Sequence, residues 1–515
     1  MNFRKYNNVT EVIIPNQVRL SNTNFYNCFL NMKNLIGVKL SDQVTNMSCT
    51  FRNCTNYANQ PICSNNVTNM YSTYMDCQNL KGSPICGENV TNMFVTYANC
   101  RNLTGSPVCG ENVIDFGGAY SNCINLTGSP VCGEKVMYMN GSSLIVHGSV
   151  YGAYDHCSNL TGSPVCGRNV INMSNAYYEC RNLTGSPVCG GNVINMSGAY
   201  YDCKNLTGSP VCGEKVTDMS RTYSICHNLT GSPVCGNNVT HMQSAYSHCS
   251  NLTGSPVCGN NVKEFGSAYY DCYNLTGSPV CGENVTSMYS TYESCYNLTG
   301  SPVCGENVTN MGRAYYACHN LTGSPVCGNN VTNMQSAYSH CSNLTGSPAC
   351  GSNVTNFAGA YYYCRNLTGS PVCGENVTEM GLAYRDCSNL TGSPVCGNNV
   401  TNMYANILIS SFYLTGGAYM NCPNLYGNSY FYSPNVSNAF MCFNGRNTSN
   451  VLSIYTIANS TTMNTLLCNT ATTSLVGAEI TWTNDTANNC HYNTQYNIYI
   501  YPVDDVAAAR AANGD

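Results

Sequence analysis

The chain has 515 residues, of which only 9% are charged, and a formal net charge of -5. Apart from Arg4-Lys5, Lys and Arg occur singly, so no basic stripe of the kind nucleic acid selects is present, and solubility falls to Asn, Ser, Thr, Tyr and Gly. No apolar run approaches the roughly 18 residues of a membrane-spanning helix, which excludes membrane insertion by helices.

The opening M-N-F-R-K-Y-N-N-V-T-E-V-I-I-P lacks the apolar stretch of a secretory signal. The expectation is synthesis in a cytoplasm, with any outside role reached by lysis, a non-classical route or incorporation into a particle. Residues 1–53 carry a degraded pattern: Val9, Val12, Ile13, Ile14 and Pro15, then Phe25 and Cys28, then Leu35, Val38, Leu40, Val44, Met47, Phe51 and Cys54. These read as two atypical capping repeats that cover the open end of a stack.

From Cys54 the chain repeats a 23-residue cassette, seen cleanly as C-R-N-L-T-G-S-P-V-C-G-G-N-V-I-N-M-S-G-A-Y-Y-D from Cys180, with its first cysteine at 54, 77, 100, 123, 157 and every 23 residues to Cys387, then Cys422. A fixed period of this length is the mark of a solenoid, whose units bury their apolar faces only by stacking. In the coil from Cys180, the apolar set Leu183, Val188, Val193, Met196, Ala199, Tyr200 and Cys203 is predicted to line the interior. Thr184 to Pro187 is predicted as a short extended segment, because proline excludes helix and cannot donate to a ladder. Asn192 to Met196 alternates as a second short strand would, and Ala-Tyr-x-x-Cys has the spacing of one helical turn.

The 36 cysteines follow the repeat at alternating separations of 9 and 14. An extended nine-residue segment spans roughly 25 Å, far beyond disulfide reach. Equivalent cysteines on coils about 4.8 Å apart point the wrong way for good disulfide geometry. Buried, reduced thiols in a ladder are therefore expected, ahead of zinc, since no C-x-x-C pair occurs. No metal and no other cofactor is expected. The recurrent Asn-Leu-Thr at Asn102, Asn182 and Asn205 has the form of a glycosylation acceptor, but it rides on the cassette and reads better as an asparagine ladder.

Two inserts enter the coil at the same point, after Met139 and Met403, at residues 140–150 and 404–415. They carry the apolar residues Leu144, Ile145 and Val146, and Ile407, Leu408, Phe412 and Tyr413. Inserts at one edge of a solenoid often form a binding face, although local hairpins shielding these residues are the alternative reading. The solenoid is assigned to 54–442. Residues 443–503 alternate at period two around L-S-I-Y-T-I-A, Trp482 and Y-N-I-Y-I-Y-P-V, which reads as a small antiparallel β domain. Residues 504–515 form a polar, alanine-rich tail with room for a short helix.

Catalytic patterns are absent: the sequence holds no phosphate loop, no H-E-x-x-H and no G-x-S-x-G. Histidines flank the ladder cysteine, as His156, His248 and His340 before it and His227 and His319 after it. They read as exposed residues beside buried thiols, not as Cys-His dyads. The chain is read as a non-enzyme.

The run from Asn307 to Leu321, N-V-T-N-M-G-R-A-Y-Y-A-C-H-N-L, resembles the BspA-like leucine-rich repeats of bacterial surface proteins over roughly residues 8–442. The family usually has Phe where this chain has Tyr200 or Tyr246, and it lacks the second cysteine, Cys189. The resemblance implies a β-rich leucine-rich-repeat solenoid and a role in adhesion or recognition. The near-identical cassettes with an Asn- and Tyr-rich vocabulary also resemble tail-fibre or virion surface proteins of phages of gut bacteria.

These resemblances imply a host surface receptor, protein or glycan, as partner, with other virion proteins and a homo-oligomer through the terminal domain as further partners. A cell-surface adhesin is the alternative. A lattice-binding face on Thr184 and Ser186 is a third reading, weakened by Gly185 and Pro187. The positions that vary most from coil to coil, which include Tyr178, Tyr201, Arg221 and Tyr270, are the expected contact residues together with the inserts, because Tyr and Arg are favoured at contact surfaces.

Overall fold

The computed structural model of the chain describes residues 3, 5–6, 8–140, 152–409, 412–431, 442–445, 447–457 and 482–514. It comprises two units, Met1–Asn261 and Val262–Asp515. Each is a stack of coils, a repeat solenoid with little helix.

In the first unit, β1 (Glu11–Ile13) and β2 (Gly37–Lys39) pair in parallel. Beyond them each coil contributes one parallel bridge, with Asn46, Asn69, Asn92 and Asp115 each joined to the equivalent residue one period on. The second unit repeats the arrangement through Ser287, Asn310, Asn333 and Asn356. The predicted second strand thus shrinks to a single bridged residue, Asn195 in the coil from Cys180.

The helical turn expected at Ala-Tyr-x-x-Cys is not formed. The N–H groups of Met196, Gly198, Tyr200 and Asp202 donate to the carbonyls of Asp218, Ser220, Thr222 and Ser224 on the next coil, at 2.8–2.9 Å. Those of Ala199, Tyr201 and Cys203 turn back on Met196, Gly198 and Tyr200 within the coil. Left-handed residues at Gly198 (φ 61°) and Asp202 (φ 56°) produce this alternation. A helical turn would direct every N–H along its own segment and leave the inter-coil carbonyls without donors.

Tyr200 supplies what the T-G-S-P-V-C segment lacks. Pro187 has no N–H, and the backbone of Val188 pairs with no neighbouring strand. Instead the Tyr200 hydroxyl donates to the Val188 carbonyl at 2.7 Å and accepts from the Val188 N–H at 3.1 Å. The same clamp recurs between Tyr177 and Val165 in the first unit and between Tyr338 and Val326 in the second.

The rings stack as well: Tyr200 lies 5.5 Å from Tyr177 and 5.6 Å from Tyr223, nearly parallel. Phe replaces Tyr in this column at Phe51 and Phe443. The segment twelve residues earlier, the separation seen in each regular clamp, is β2 for Phe51 and β5 (Gly427–Phe431) for Phe443. Both are true strands, in which Lys39, for example, already accepts from Ile14 N–H at 2.8 Å. At these two positions the hydroxyl is absent where a ladder is made, although Phe29, also in the column, lacks it with no strand twelve residues earlier.

Leu183, Val193, Met196, Ala199, Tyr200 and Cys203 are fully buried, as predicted. Val188 is a correction: it is half-buried, and Pro187 is the residue that goes inside. The Cys203 thiol donates to the Tyr177 carbonyl at 3.1 Å, and Cys226 does the same to Tyr200 at 3.0 Å. The second cysteine of the cassette is half-buried, and a Cβ at Gly213 would sit 3.0 Å from the Cys189 sulfur, which accounts for the glycine that follows it. The described cysteines are free thiols.

The expected asparagine ladder is present but long, with Asn102 Nδ2 donating to Asn79 Oδ1 at 3.2 Å and Asn228 to Asn205 at 3.5 Å. Asn205 reaches Asn182 only at 3.5 Å on the exposed surface. The firmer bonds are Asn192 Nδ2 to the Arg168 carbonyl at 3.1 Å and Ser197 N–H to Asn195 Oδ1 at 2.8 Å.

Gly185 has φ 80°, and a Cβ there would lie 2.2 Å from Ser163 Oγ and 2.9 Å from Ser163 Cβ. Gly185→Ala is expected to cost about 1–3 kcal/mol from the left-handed backbone, with the overlap added. Chemical denaturation of Gly185→Ala and of the double variant with Ser163→Gly checks this. The double variant should recover the overlap and keep the backbone cost.

In the second unit, β3 (Tyr404–Ile409) and β4 (Phe412–Gly417) form an antiparallel hairpin from the second insert. The terminal sheet has the order β5-β6-β9-β8-β7, with β6 Leu452–Ile457, β7 Thr483–Asp485, β8 Cys490–Asn493 and β9 Ile498–Val503. It is mixed, not antiparallel as expected: β5, β6 and β9 run parallel, β8 is antiparallel to β9 and β7 antiparallel to β8, so β8 alone runs against the rest. Bridges from Gly392 to Leu425 and from Cys396 to Phe431 show why. The first strand is laid parallel on the T-G-S-P-V-C segment of a preceding coil, so the sheet inherits the direction of the stack. Its β5 therefore begins before residue 443.

The tail forms helix α1 (Val506–Ala512), with the Asp505 carboxylate accepting from Ala507 and Ala508 N–H at its start. No helix among the described residues is long and apolar enough to cross a membrane.

Candidate recognition surface

With the conserved part of the cassette occupied by internal bonds, the side chains left over are those around the ladder cysteine: two and one before it, and one after. The residue just before the cysteine takes a left-handed conformation, with φ 63° at Asn99, 60° at His156, 56° at Asp202 and 63° at His340. This backbone requirement favours Asn, Asp and His and explains why histidine precedes the cysteine. Tyr363 (φ 64°) and Ile225 (φ 65°) hold the same conformation against their preference.

In the first unit these positions build a chain of charges. His156 pairs with Asp155 and lies 3.5 Å from Glu179, Arg181 bridges Glu179 at 2.8 Å and Asp202 at 2.7 Å, and Lys204 lies 3.5 Å from Asp202. The hydrogen bond to Asp155 raises the His156 pKa above its ordinary value, while burial raises that of Asp155. Tyr178 and Tyr201, both named from the sequence, are brought together beside this chain with rings 4.5 Å apart. Burial, with Tyr201 next, pushes the Tyr178 hydroxyl up to about 12.

In the second unit the same positions are richer in rings. Tyr273 stacks on Tyr296 at 5.1 Å, and Tyr296 on His319 at 5.2 Å. Arg365 lies over Tyr363 at 4.0 Å and Arg313 over Tyr316 at 4.8 Å, distances at which cation–π attraction operates. Arg313 also pairs with the buried Glu293. His340 packs edge-on to Tyr316 and Tyr362, and burial, with His319 second, lowers its pKa to about 4.

Tyr270, the third tyrosine named from the sequence, is half-buried in this unit. Residues 273, 296, 313, 319 and 365 were missed individually. The signal that finds 273, 296, 319 and 365 is the column of residues one period apart, directly after the cysteine; Arg313, five before Cys318, lies in the column of Arg221.

The insert candidates give less. Leu144, Ile145 and Val146 lie outside the described residues. Ile407 and Leu408 are in β3 and Phe412 and Tyr413 in β4, with Leu408 opposite Tyr413 and Ile409 opposite Phe412. A separate groove of about 690 Å³ lies in the second unit, lined among others by Ser370, Cys373, Glu375, Asn398, Asn428 and Arg510.

The arrangement does not favour nucleophilic chemistry at the ladder cysteines. Burial raises the Cys157 thiol well above its usual range, and its proton goes to the Tyr120 carbonyl while His156 faces Asp155. The half-buried row is raised too, with Cys166 up to about 12 through burial. Among the described residues no group of three or more His, Cys, Asp or Glu is placed to hold a metal ion.

Residues 21–110 match a family described as "Mycoplasma protein of unknown function, DUF285". Residues 244–269 match a Kazal-type serine protease inhibitor domain, although Cys249 and Cys258 in that stretch are free and belong to the repeating cassette. No curated protein matches the chain. Among solved structures, a leucine-rich repeat protein from Bacteroides ovatus ATCC 8483 is similar at 14% identity over 76% of this chain and 79% of that one, with a TM-score of 0.34. A leucine rich cell surface protein from Faecalibacterium prausnitzii A2-165 is similar at 14% identity over 77% and 83%, with a TM-score of 0.22.

Proposed function

We propose that the chain is a non-enzymatic structural and recognition protein, in which the invariant cassette is scaffold and the residues beside the ladder cysteine bind a surface receptor. One observation carries this reading. The invariant Tyr, Cys and Asn side chains are consumed by bonds within the stack, whereas the variable ones gather into surfaces of Tyr, Arg and His, residue types suited to contact. As a virion surface component such as a tail fibre, the chain would bind a bacterial host receptor and self-associate through the terminal sheet. As a cell-surface adhesin it would bind host protein or glycan.

Fluorescently labelled chain incubated with intact bacterial and epithelial cells tests the proposal, and the cell type that binds separates the two settings. Saturable binding should fall about tenfold or more in a variant carrying Tyr178→Ser, Tyr201→Ser, Tyr273→Ser and Tyr296→Ser. Binding indifferent to these four changes, or binding to neither cell type, would overturn it.

A further inference from the structure

The surface in the second unit has a geometry that narrows the ligand. Tyr273, Tyr296 and His319 occupy the position after the ladder cysteine on successive coils, stacked at 5.1 and 5.2 Å with interplanar angles of 10° and 21°. Rings stacked this way cover one another's faces, so water meets their edges and phenol hydroxyls. Tyr273 and Tyr296 remain 37% and 38% exposed. Each tyrosine coil therefore offers one phenol oxygen, repeated at a single step, with the Tyr273 hydroxyl also hydrogen-bonded to Asp271.

The next residue in the column is Ser342, whose short side chain interrupts the stack beside His319. One coil further, Arg365 lies over the Tyr363 ring, and its guanidinium has no carboxylate partner among the described residues.

Charge on this surface is balanced, with Arg313, Arg365 and Arg385 set against Asp271, Glu293 and Asp386. Balanced charge gives no long-range attraction for a polyanion, which disfavours nucleic acid and acidic glycans. The step also disfavours an extended peptide, which advances about 3.3–3.4 Å per residue and falls out of register with the rings. A pyranose in an extended β-linked chain is close to one coil step long, and it presents hydroxyls to the phenols and the guanidinium fork.

We infer that the surface from Tyr273 to Arg365 binds an extended, uncharged polysaccharide laid along the column, one sugar per coil, with a sugar ring seated at Ser342 between His319 and Arg365. This rests on the recognition role proposed above and names its ligand class.

Titration calorimetry of the full chain with chitohexaose and cellohexaose tests it. At least one hexasaccharide should bind, its trisaccharide about tenfold more weakly. Tyr296→Ser and Arg365→Ser should each weaken the hexasaccharide about tenfold without shifting thermal unfolding, because both side chains are exposed. Ser342→Trp should abolish binding by filling the seat. Binding of neither hexasaccharide, or salt-sensitive binding of heparin in their place, would overturn the inference. If neither binds while Tyr296→Ser still weakens cell attachment, the recognition role stands and the ligand class falls.

Discussion

Tyr200→Phe will destabilise its coil by about 2 kcal/mol, although the change removes a single oxygen atom. The ring stack survives, since Phe51 and Phe443 occupy the same column without a hydroxyl. What is lost is the partner of two backbone groups, the Val188 N–H and carbonyl. Stranding a buried polar group costs about 1–3 kcal/mol, and the half-buried position of Val188 admits some water and keeps the total toward the lower end.

In an array whose units contact only their neighbours, the loss appears first as local opening. Hydrogen exchange should accelerate at Val188 and in the adjoining coils, with distant coils unchanged. The reverse change, Phe51→Tyr, should also destabilise, because β2 already pairs its backbone and leaves the new hydroxyl without a role. A neutral Tyr200→Phe, with unchanged exchange at Val188, would contradict this account of the clamp.

The period, the thin core and the atypical first coils were legible in the sequence because each depends on side-chain type alone. What was not legible depends on where backbone hydrogen bonds go. Ala199, Tyr200 and Cys203 have the spacing of a helical turn, and a pair of left-handed bends satisfies the same spacing while sending alternate N–H groups to the next coil.

Val188 looked like a core residue by hydrophobicity. It lies at the edge because its backbone must face the Tyr200 hydroxyl, and Pro187 fills the space inside. Strand direction in the terminal sheet was likewise hidden, since period-two alternation is the same for parallel and antiparallel strands. The bridge from Cys396 to Phe431 sets it.

For the candidate surface, the variable positions were legible as positions and Tyr178, Tyr201 and Tyr270 were named from them. Which of these side chains meet was not. Tyr178 and Tyr201 stack because they are one period apart, and Tyr273, Tyr296 and His319 do so for the same reason. A reading by column finds both groups, whereas a reading along the chain finds neither.

The central claim is that the cassette is an interchangeable spacer whose bonds repeat at one fixed period, with recognition left to the residues beside the cysteine. Deleting residues 180–202, one whole cassette of 23 residues, brings Tyr177 against Tyr223 and Cys226 against the Tyr177 carbonyl, the contacts every coil already makes. Deleting 22 residues instead, 181–202, leaves Cys180 next to Cys203 and slips the register by one, so that the clamp, the thiol bond and the left-handed positions downstream of the cut no longer meet their partners.

The 23-residue deletion is expected to unfold cooperatively near the parent midpoint in chemical denaturation and to keep saturable binding of cells through Tyr273 to Arg365, weakened only by the loss of the Tyr178–Tyr201 pair. The 22-residue deletion is expected to lose the cooperative transition around the cut or to force one coil open. Equal stability of the two deletions, or loss of binding in the 23-residue one, would contradict the central claim.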